Sequence, residues 1–451
     1  MFYALVDYED AYVQPLIVRA LQSRLSETAY KMISSLSQLP DPLSPVLQYR
    51  VYEQINFDHV MEHHGTSLVN SYIIRKALTR KHYLSSTIAQ WVTKYPDSIL
   101  RRHFKPAVEF ELDFAEFLDE ALVEAYELKE SFERNEGKGE EEGKEWWILK
   151  PGMSDRGQGI RLFNSESSLQ AIFEEWEEEE AEEEEEEEES LSEKGQETEH
   201  GIQEVTTRDG ENEKGNAATQ NGIVTSQLRH FVAQPYIHPP LLLPSSSNRK
   251  FHIRAYVVAV GSLKVYVYRE MLALFAEEPY ADPSDKSGVA DLSRHLTNTC
   301  LQTGEGKAPD LDSVQRFWSL DDTASTLGSN WKEDVYQQIC SVSGAVFEAA
   351  ARGMLVHFQT LPNSFEVFGV DFLVDGNGHA WLLELTAFPD FRQTGDELRD
   401  EVVGKLFEGI VEVAVKPFFD ITADVDDSGN DASDHTRFGL CLVTDLDLGK
   451  K

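Results

Sequence analysis

Apolar and polar positions switch to an extended, period-two pattern around three turn signals, and these places organise the reading of the chain. In WWILKPGMSDRGQGIRLF, an apolar run ends at Lys150-Pro151, a glycine-spaced loop follows, and a second apolar run reaches Phe163. This reads as a β-hairpin, either with a plain surface lysine or with a phosphate-binding role. In RKFHIRAYVVAVGSLKVYVYREML, the turn signal is Gly261-Ser262, with Gly at the first central position of a type II′ turn. That turn pairs Val260 with Leu263 and sets Arg254 opposite Arg269, with Lys250, His252 and Arg254 alternating onto one face. In FEVFGVDFLVDGNGHAWLLELTAF, the turn is Asp375-Gly376-Asn377-Gly378. The simplest register faces Asp371 with Leu382 and puts Glu384 one diagonal step away, roughly 7–8 Å between backbones.

Helical spacing appears elsewhere. Phe110 to about Phe132 predicts an amphipathic helix through Phe114, Phe117, Leu118, Ala121 and Leu122. Leu169, Ile172, Phe173 and Trp176 predict another, opened by a Ser167/Gln170 capping box. The basic stretch from Leu68 is partly helical, and a helix is expected around residues 331 to 356. Residues from about 177 to 224 lose apolar periodicity and read as a disordered acidic insertion, a solvated spacer or a dock for a basic partner. The chain ends in an acidic loop and RFGLCLVTDLDL, one final strand. Four segments are expected: 1–65, 66–238 with the insertion, 239–420 and 421–451.

Composition narrows the classes. The chain has 451 residues, 41% of them hydrophobic, which is ordinary for a globular protein. No apolar run reaches the roughly 18 residues of a membrane span, and MFYALVDYEDAYVQ does not read as a secretory signal. Cys300, Cys340 and Cys441 are widely spaced and suggest neither a disulfide framework nor a zinc site. The formal net charge is −39, and removing the fourteen glutamates between Glu174 and Glu189 still leaves −25. That balance disfavours direct contact with nucleic acid or an anionic membrane.

Charge placement in the hairpins adds chemistry. Like charges facing across a ladder destabilise it. Arg254 and Arg269 therefore call either for neighbouring Asp and Glu or for a bound anion, which arginine's planar fork suits. Asp371 and Glu384 are embedded in apolar runs, where a charge is costly unless paired. Either each meets a buried Arg, or the two hold a cation, for which two carboxylates with water and phosphate oxygens are a typical Mg²⁺ environment.

In order, the motifs are a lysine-proline strand with a Gly loop, Gln-Pro-Tyr-Ile, the Arg/Lys hairpin, His-Leu-Thr-Asn, and the Asp/Glu hairpin. This order, from about Trp146 to Asp390, resembles the tubulin-tyrosine-ligase-like family of the ATP-grasp superfamily. A weaker match lies at Thr79-Arg80-Lys81. The ending E-L-x-A-F-P-D-F is similar to a yeast subgroup associated with processing bodies. The resemblance implies an α+β, ATP-grasp fold, two subdomains clamping a nucleotide beside a small N-terminal domain. It implies ATP contacts from Lys81, Lys150, Arg156, Gly157, Gln158 and Gly159, an adenine hinge at Gln234, Tyr236 and Ile237, and further nucleotide contacts from Lys250, Thr297 and Asn298. Arg254 and Arg269 would serve the acyl phosphate and substrate carboxylate. Asp371 and Glu384 would hold Mg²⁺, with Thr386 where the family commonly has an Asn ligand. His252 likewise stands where Asp is common. A protein-kinase reading fails, because Asp371-Phe372 is followed by Leu373 and no His-Arg-Asp loop precedes it.

Two functions are implied. One is an ATP- and Mg²⁺-dependent ligase that joins an amino acid to a protein tail, tubulin first, through an acyl phosphate. The other is a nucleotide-binding scaffold for mRNA-decapping factors in cytoplasmic processing bodies. Neither involves a membrane or direct contact with nucleic acid.

Overall fold

The computed structural model describes residues 1–139, 143–151, 159–196, 230–285, 291–297, 313–322, 327–421 and 438–448, with side chains described except over 183–196. Arg156, Gly157, Gln158, Asn298 and the expected insertion from 197 onward lie outside these residues. The chain divides into two compact units, residues 1–106 with 237–451, and residues 107–236. In this division residues 1–65 fall in the same unit as 239–420.

The first unit opens with a parallel sheet of four strands, β1 (Phe2–Asp7), β2 (Tyr30–Ile33), β3 (Val46–Arg50) and β4 (Ser67–Val69), in the order β2-β1-β3-β4. The helix Gln14–Arg24 covers it, burying Leu16, Ile17, Ala20 and Leu21.

The second unit is an antiparallel sheet of β5 (Val108–Glu111), β6 (Trp147–Pro151), β7 (Arg161–Phe163) and β8 (His230–Pro235), in the order β5-β8-β6-β7. The expected β6–β7 hairpin is present, with Trp147 opposite Phe163. Two helical expectations are corrected here. Residues 110–132 form β5, a turn of 3₁₀ helix at Ala115–Phe117, the short helix Leu118–Ala121, and the helix Tyr126–Glu136. Phe114 and Phe117 are accordingly exposed rather than on a buried stripe. The helix Glu166–Gln196 runs on through the glutamate run instead of stopping near 177, since Glu is a good helix former. Its N-terminal box is Ser165 with Ser168, each hydroxyl accepting the other's backbone N–H, not Ser167 with Gln170.

The remaining strands complete the first unit: β9 (Arg249–Val260), β10 (Lys264–Tyr268), β11 (Leu272–Pro279), β12 (Val314–Arg316), β13 (Phe365–Val374), β14 (Ala380–Ala387) and β15 (Leu440–Asp445), the expected final strand. They make one antiparallel sheet ordered β12-β11-β9-β10-β15, with β13 on the other edge of β9 and β14 beyond it. Alternation explains its two sides. On β9, Phe251, Ile253, Ala255, Val257 and Ala259 enter the core with the helix Trp331–Gly353, while Tyr256 and Val258 face the core shared with β1 and residues 402–415.

Candidate functional site

Lys250, His252 and Arg254 sit on the second face of β9, as alternation predicts, and all three are buried. The register differs from the one read from the turn. Lys264 pairs with Val260 and β10 ends at Tyr268, so Arg254 does not face Arg269. Arg254 lies between Leu272 of β11 and Asp371 of β13. Arg269 lies past the end of β10. It pairs with Glu333 (Nη2 to Oε2, 2.7 Å) and stacks over Trp318 and Tyr336 at 4.1 and 4.9 Å. The facing-arginine argument is thereby overturned. A one-residue change in loop length moved the register, and carboxylates answer both charges.

Asp371 receives Arg254 as a fork: Nε donates to Oδ1 at 2.5 Å and Nη2 to Oδ2 at 3.1 Å. Nη1 donates to Gln393 Oε1 at 3.3 Å. Burial works against the guanidinium's charge, and the Asp371 carboxylate more than offsets it, lifting its pKa above the ordinary value. Gly369 gives the fork room. A Cβ there would meet Pro389 Cβ at 3.1 Å and Arg254 Cδ at 3.2 Å. The sequence reading missed Gln393 and Gly369. A glycine in the middle of FEVFGVDF was a visible signal of close approach.

Asp371 faces Glu384, not Leu382. Phe372 pairs with Leu382, and a β-bulge then skips Leu383, so that Asp371 is opposite Glu384 and Val370 opposite Leu385. The bulge has a physical consequence. Leu382 and Leu385 both enter the core, three residues apart, which turns Glu384 and Thr386 onto the face that carries Asp371. Glu384 is half-buried, with Lys81 Nζ 3.9 Å from its Oε2. Thr386 is exposed, opposite Gly369.

His252 lies beside this pair. Nδ1 is 2.6 Å from the Thr297 hydroxyl, and Nε2 is 3.8 Å from Asp371 Oδ1 and has no hydrogen-bond partner among the described residues. Burial lowers its pKa, with the Asp371 charge opposing, so the ring is neutral near pH 7. An orphaned ring nitrogen at full burial is the kind of atom a ligand satisfies.

The donor chemistry fits a hard dication. Among the described residues no cluster of three or more His, Cys, Asp or Glu gathers to hold a metal. Protein donors are then two facing carboxylates, and Mg²⁺ characteristically takes one or two carboxylates and completes its shell with water and phosphate. Asp371 accepts the Arg254 fork, and each carboxylate oxygen carries two lone pairs.

In the second unit, Lys150 and Gln234 share one face of β6 and β8, and Lys150 Nζ donates to Gln234 Oε1 at 3.0 Å. Trp147 and Leu149 on β6 face the core, which leaves Lys150 on the opposite side. The Tyr236 N–H donates to the Trp146 carbonyl at 2.7 Å, and Gly159 adopts a positive φ of 69°. Tyr236 and Ile237 are buried.

The model of the tubulin-tyrosine ligase family matches residues 59–422. A Schizosaccharomyces pombe protein named probable tubulin–tyrosine ligase is 43% identical over 417 residues, covering 92% of each chain. The Saccharomyces cerevisiae protein PBY1, also named probable tubulin–tyrosine ligase, is 43% identical over 391 residues, covering 86% of this chain but 48% of that one. This chain therefore spans about half of PBY1. Among solved structures, the C-terminal domain of K. lactis Pby1 superposes with a TM-score of 0.67 at 33% identity, covering 99% of each chain. It is described as an ATP-grasp enzyme interacting with the mRNA decapping enzyme Dcp2. The fold is thus the ATP-grasp fold the resemblance implied.

Proposed function

The chain belongs to the tubulin-tyrosine ligase family, and from that premise we propose that it is an ATP- and Mg²⁺-dependent carboxylate–amine ligase that adds an amino acid to a protein tail, tubulin first. The observation that carries this reading is the facing pair Asp371 and Glu384, held on one face with the Arg254 fork.

In the reaction, an oxygen of the acceptor carboxylate attacks the γ-phosphorus of ATP and ADP leaves, giving an acyl phosphate. The amine of the incoming amino acid then attacks the acyl carbon. Phosphate leaves as the amide bond closes, and the amine's proton passes to solvent. No protein nucleophile is needed. Asp371 and Glu384 would hold Mg²⁺, with the Thr386 hydroxyl as a further oxygen, and the ion would neutralise phosphate charge. Within the first unit Lys250 would bring positive charge to phosphate oxygens, and within the second Gln234 orients Lys150 for the same kind of contact. Arg254 holds Asp371 in place and lowers the cost of its buried charge. The neutral His252 offers Nε2 to a ligand oxygen.

A second reading is supported by the description of the K. lactis neighbour as a partner of Dcp2: a nucleotide-binding module in cytoplasmic mRNA-decay bodies. Incubation with detyrosinated tubulin, ATP, Mg²⁺ and labelled Tyr, Glu or Gly separates the two. The ligase reading expects incorporation that is lost in Glu384→Gln. No incorporation, with ATP binding intact and decapping factors co-purifying, selects the module.

A further inference from the structure

The segment that opens the second unit buries one set of apolar residues and exposes another. Leu112, Ala115, Leu118, Leu122, Ala125 and Leu128, three or four residues apart, all enter that unit's core. Beside these buried residues, Phe114, Phe117, Val123 and Tyr126 stand 50, 44, 57 and 68% exposed. Four of the eleven exposed large apolar side chains among the described residues thus fall within thirteen positions, which isolated surface residues would not do. The Phe114 and Phe117 rings meet edge to face at 6.3 Å.

Each of these apolar groups has an exposed carboxylate beside it in sequence: Asp113, Glu116, Glu124 and Glu127. From Ala107 to Leu128 there are eight Asp and Glu and no Lys or Arg. A hydrogen bond from Asp119, with partial burial, raises the pKa of Glu166, a sign of local negative surplus. The glutamate-bearing helix lies alongside, with Glu177 Oε1 accepting the Ala115 N–H at 2.6 Å.

We propose that this face of the second unit docks a basic amphipathic helix of a protein partner. The aromatic side chains take its apolar stripe, and the flanking carboxylates take its Lys and Arg. Charge complementarity selects this occupant. An anionic membrane, an acidic protein tail or the same face of a second copy would each bring like charge to like charge.

The test uses the full chain and a fluorescently labelled 18-residue peptide of Leu and Lys, with Leu at helical spacing. Controls are a scrambled peptide of the same composition and a Leu/Glu peptide with the helical face kept. The parent should bind the Leu/Lys helix, more weakly as salt rises, and should not bind the Leu/Glu helix. Phe114→Ala with Phe117→Ala should weaken binding about tenfold. Tyr126→Ala, a change at the most exposed position, supplies the same readout should the double variant melt early. Equal affinity for the scrambled peptide, or unchanged affinity in the aromatic variants, overturns the proposal. In either case the glutamate run alone would be collecting cations.

Discussion

Arg254 and Asp371 stand directly opposite on neighbouring antiparallel strands, and both ends of the guanidinium fork close on the carboxylate, at 2.5 and 3.1 Å. Each partner is under 10% exposed, so each charge is compensated by the other rather than by water. Arg254→Ala should cost about 3–5 kcal/mol, because it leaves an uncompensated buried carboxylate. Arg254→Lys should fall between parent and alanine, since a point charge cannot reproduce the fork. Urea denaturation of the three proteins checks this. A loss under about 1 kcal/mol in Arg254→Ala would show that the pair is solvated.

Arg269 behaves differently because its surroundings differ. Its side chain and that of Glu333 are 43% and 37% exposed, so the ion pair contributes about 0–1 kcal/mol. Stacking over Trp318 adds about 0.5–1 kcal/mol. Arg269→Ala should therefore lower stability modestly, by about 1 kcal/mol. Relief of repulsion with Arg254 would raise it instead. A thermal melt of the single variant gives the sign, and a double-mutant cycle with Glu333→Gln isolates the pair.

Glu366 on β13 predicts a pH dependence. Burial raises its pKa to about 7, against the lowering influence of Arg75, whose Nε lies 2.8 Å from Oε1 with its N–H angled off the oxygen. Ser71 Oγ and the Tyr72 N–H also donate to the carboxylate. Between the unfolded value of 4.5 and about 7 the native state binds more protons than the unfolded state. Stability from this group is thus complete below pH 4.5 and is lost as pH rises to about 7. Measured as the difference between parent and Glu366→Gln, that loss should reach about 3 kcal/mol. A difference that stays flat from pH 4.5 to 8 would contradict the buried-acid account.

Much of the candidate site's geometry was legible because charged residues inside apolar runs are conspicuous: Lys250, His252 and Arg254 on one face, and Asp371 and Glu384 as a pair. Their partners were not legible, because register depends on loop length and on bulges that local pattern records weakly. The bulge did leave a trace, the shift of core phase from Leu382 to Leu385. Setting Arg254 opposite Arg269 requires consecutive strands to be neighbours over their whole length. In the sheet, β11 replaces β10 along the first half of β9, and β13 lines the other edge. Helical spacing puts Phe114 and Phe117 on one helix face, but the 3₁₀ turn at Ala115–Phe117 leaves both exposed.

The central claim is that Asp371 and Glu384 hold Mg²⁺ against ATP, and ligand-induced stabilisation tests it directly. With Mg²⁺, ATP at a hundredfold excess over Kd should stabilise the parent by about 2.7 kcal/mol. Without Mg²⁺ the gain should largely disappear, and Glu384→Gln should largely lose it even with Mg²⁺, since one carboxylate is a poor site for a hard cation. Thr386→Asn should keep or enlarge it, because a carboxamide oxygen is the better ligand. A stabilisation that is equal in all three proteins and indifferent to Mg²⁺ would contradict the metal assignment, and no stabilisation of the parent at millimolar ATP would contradict the ligase account itself.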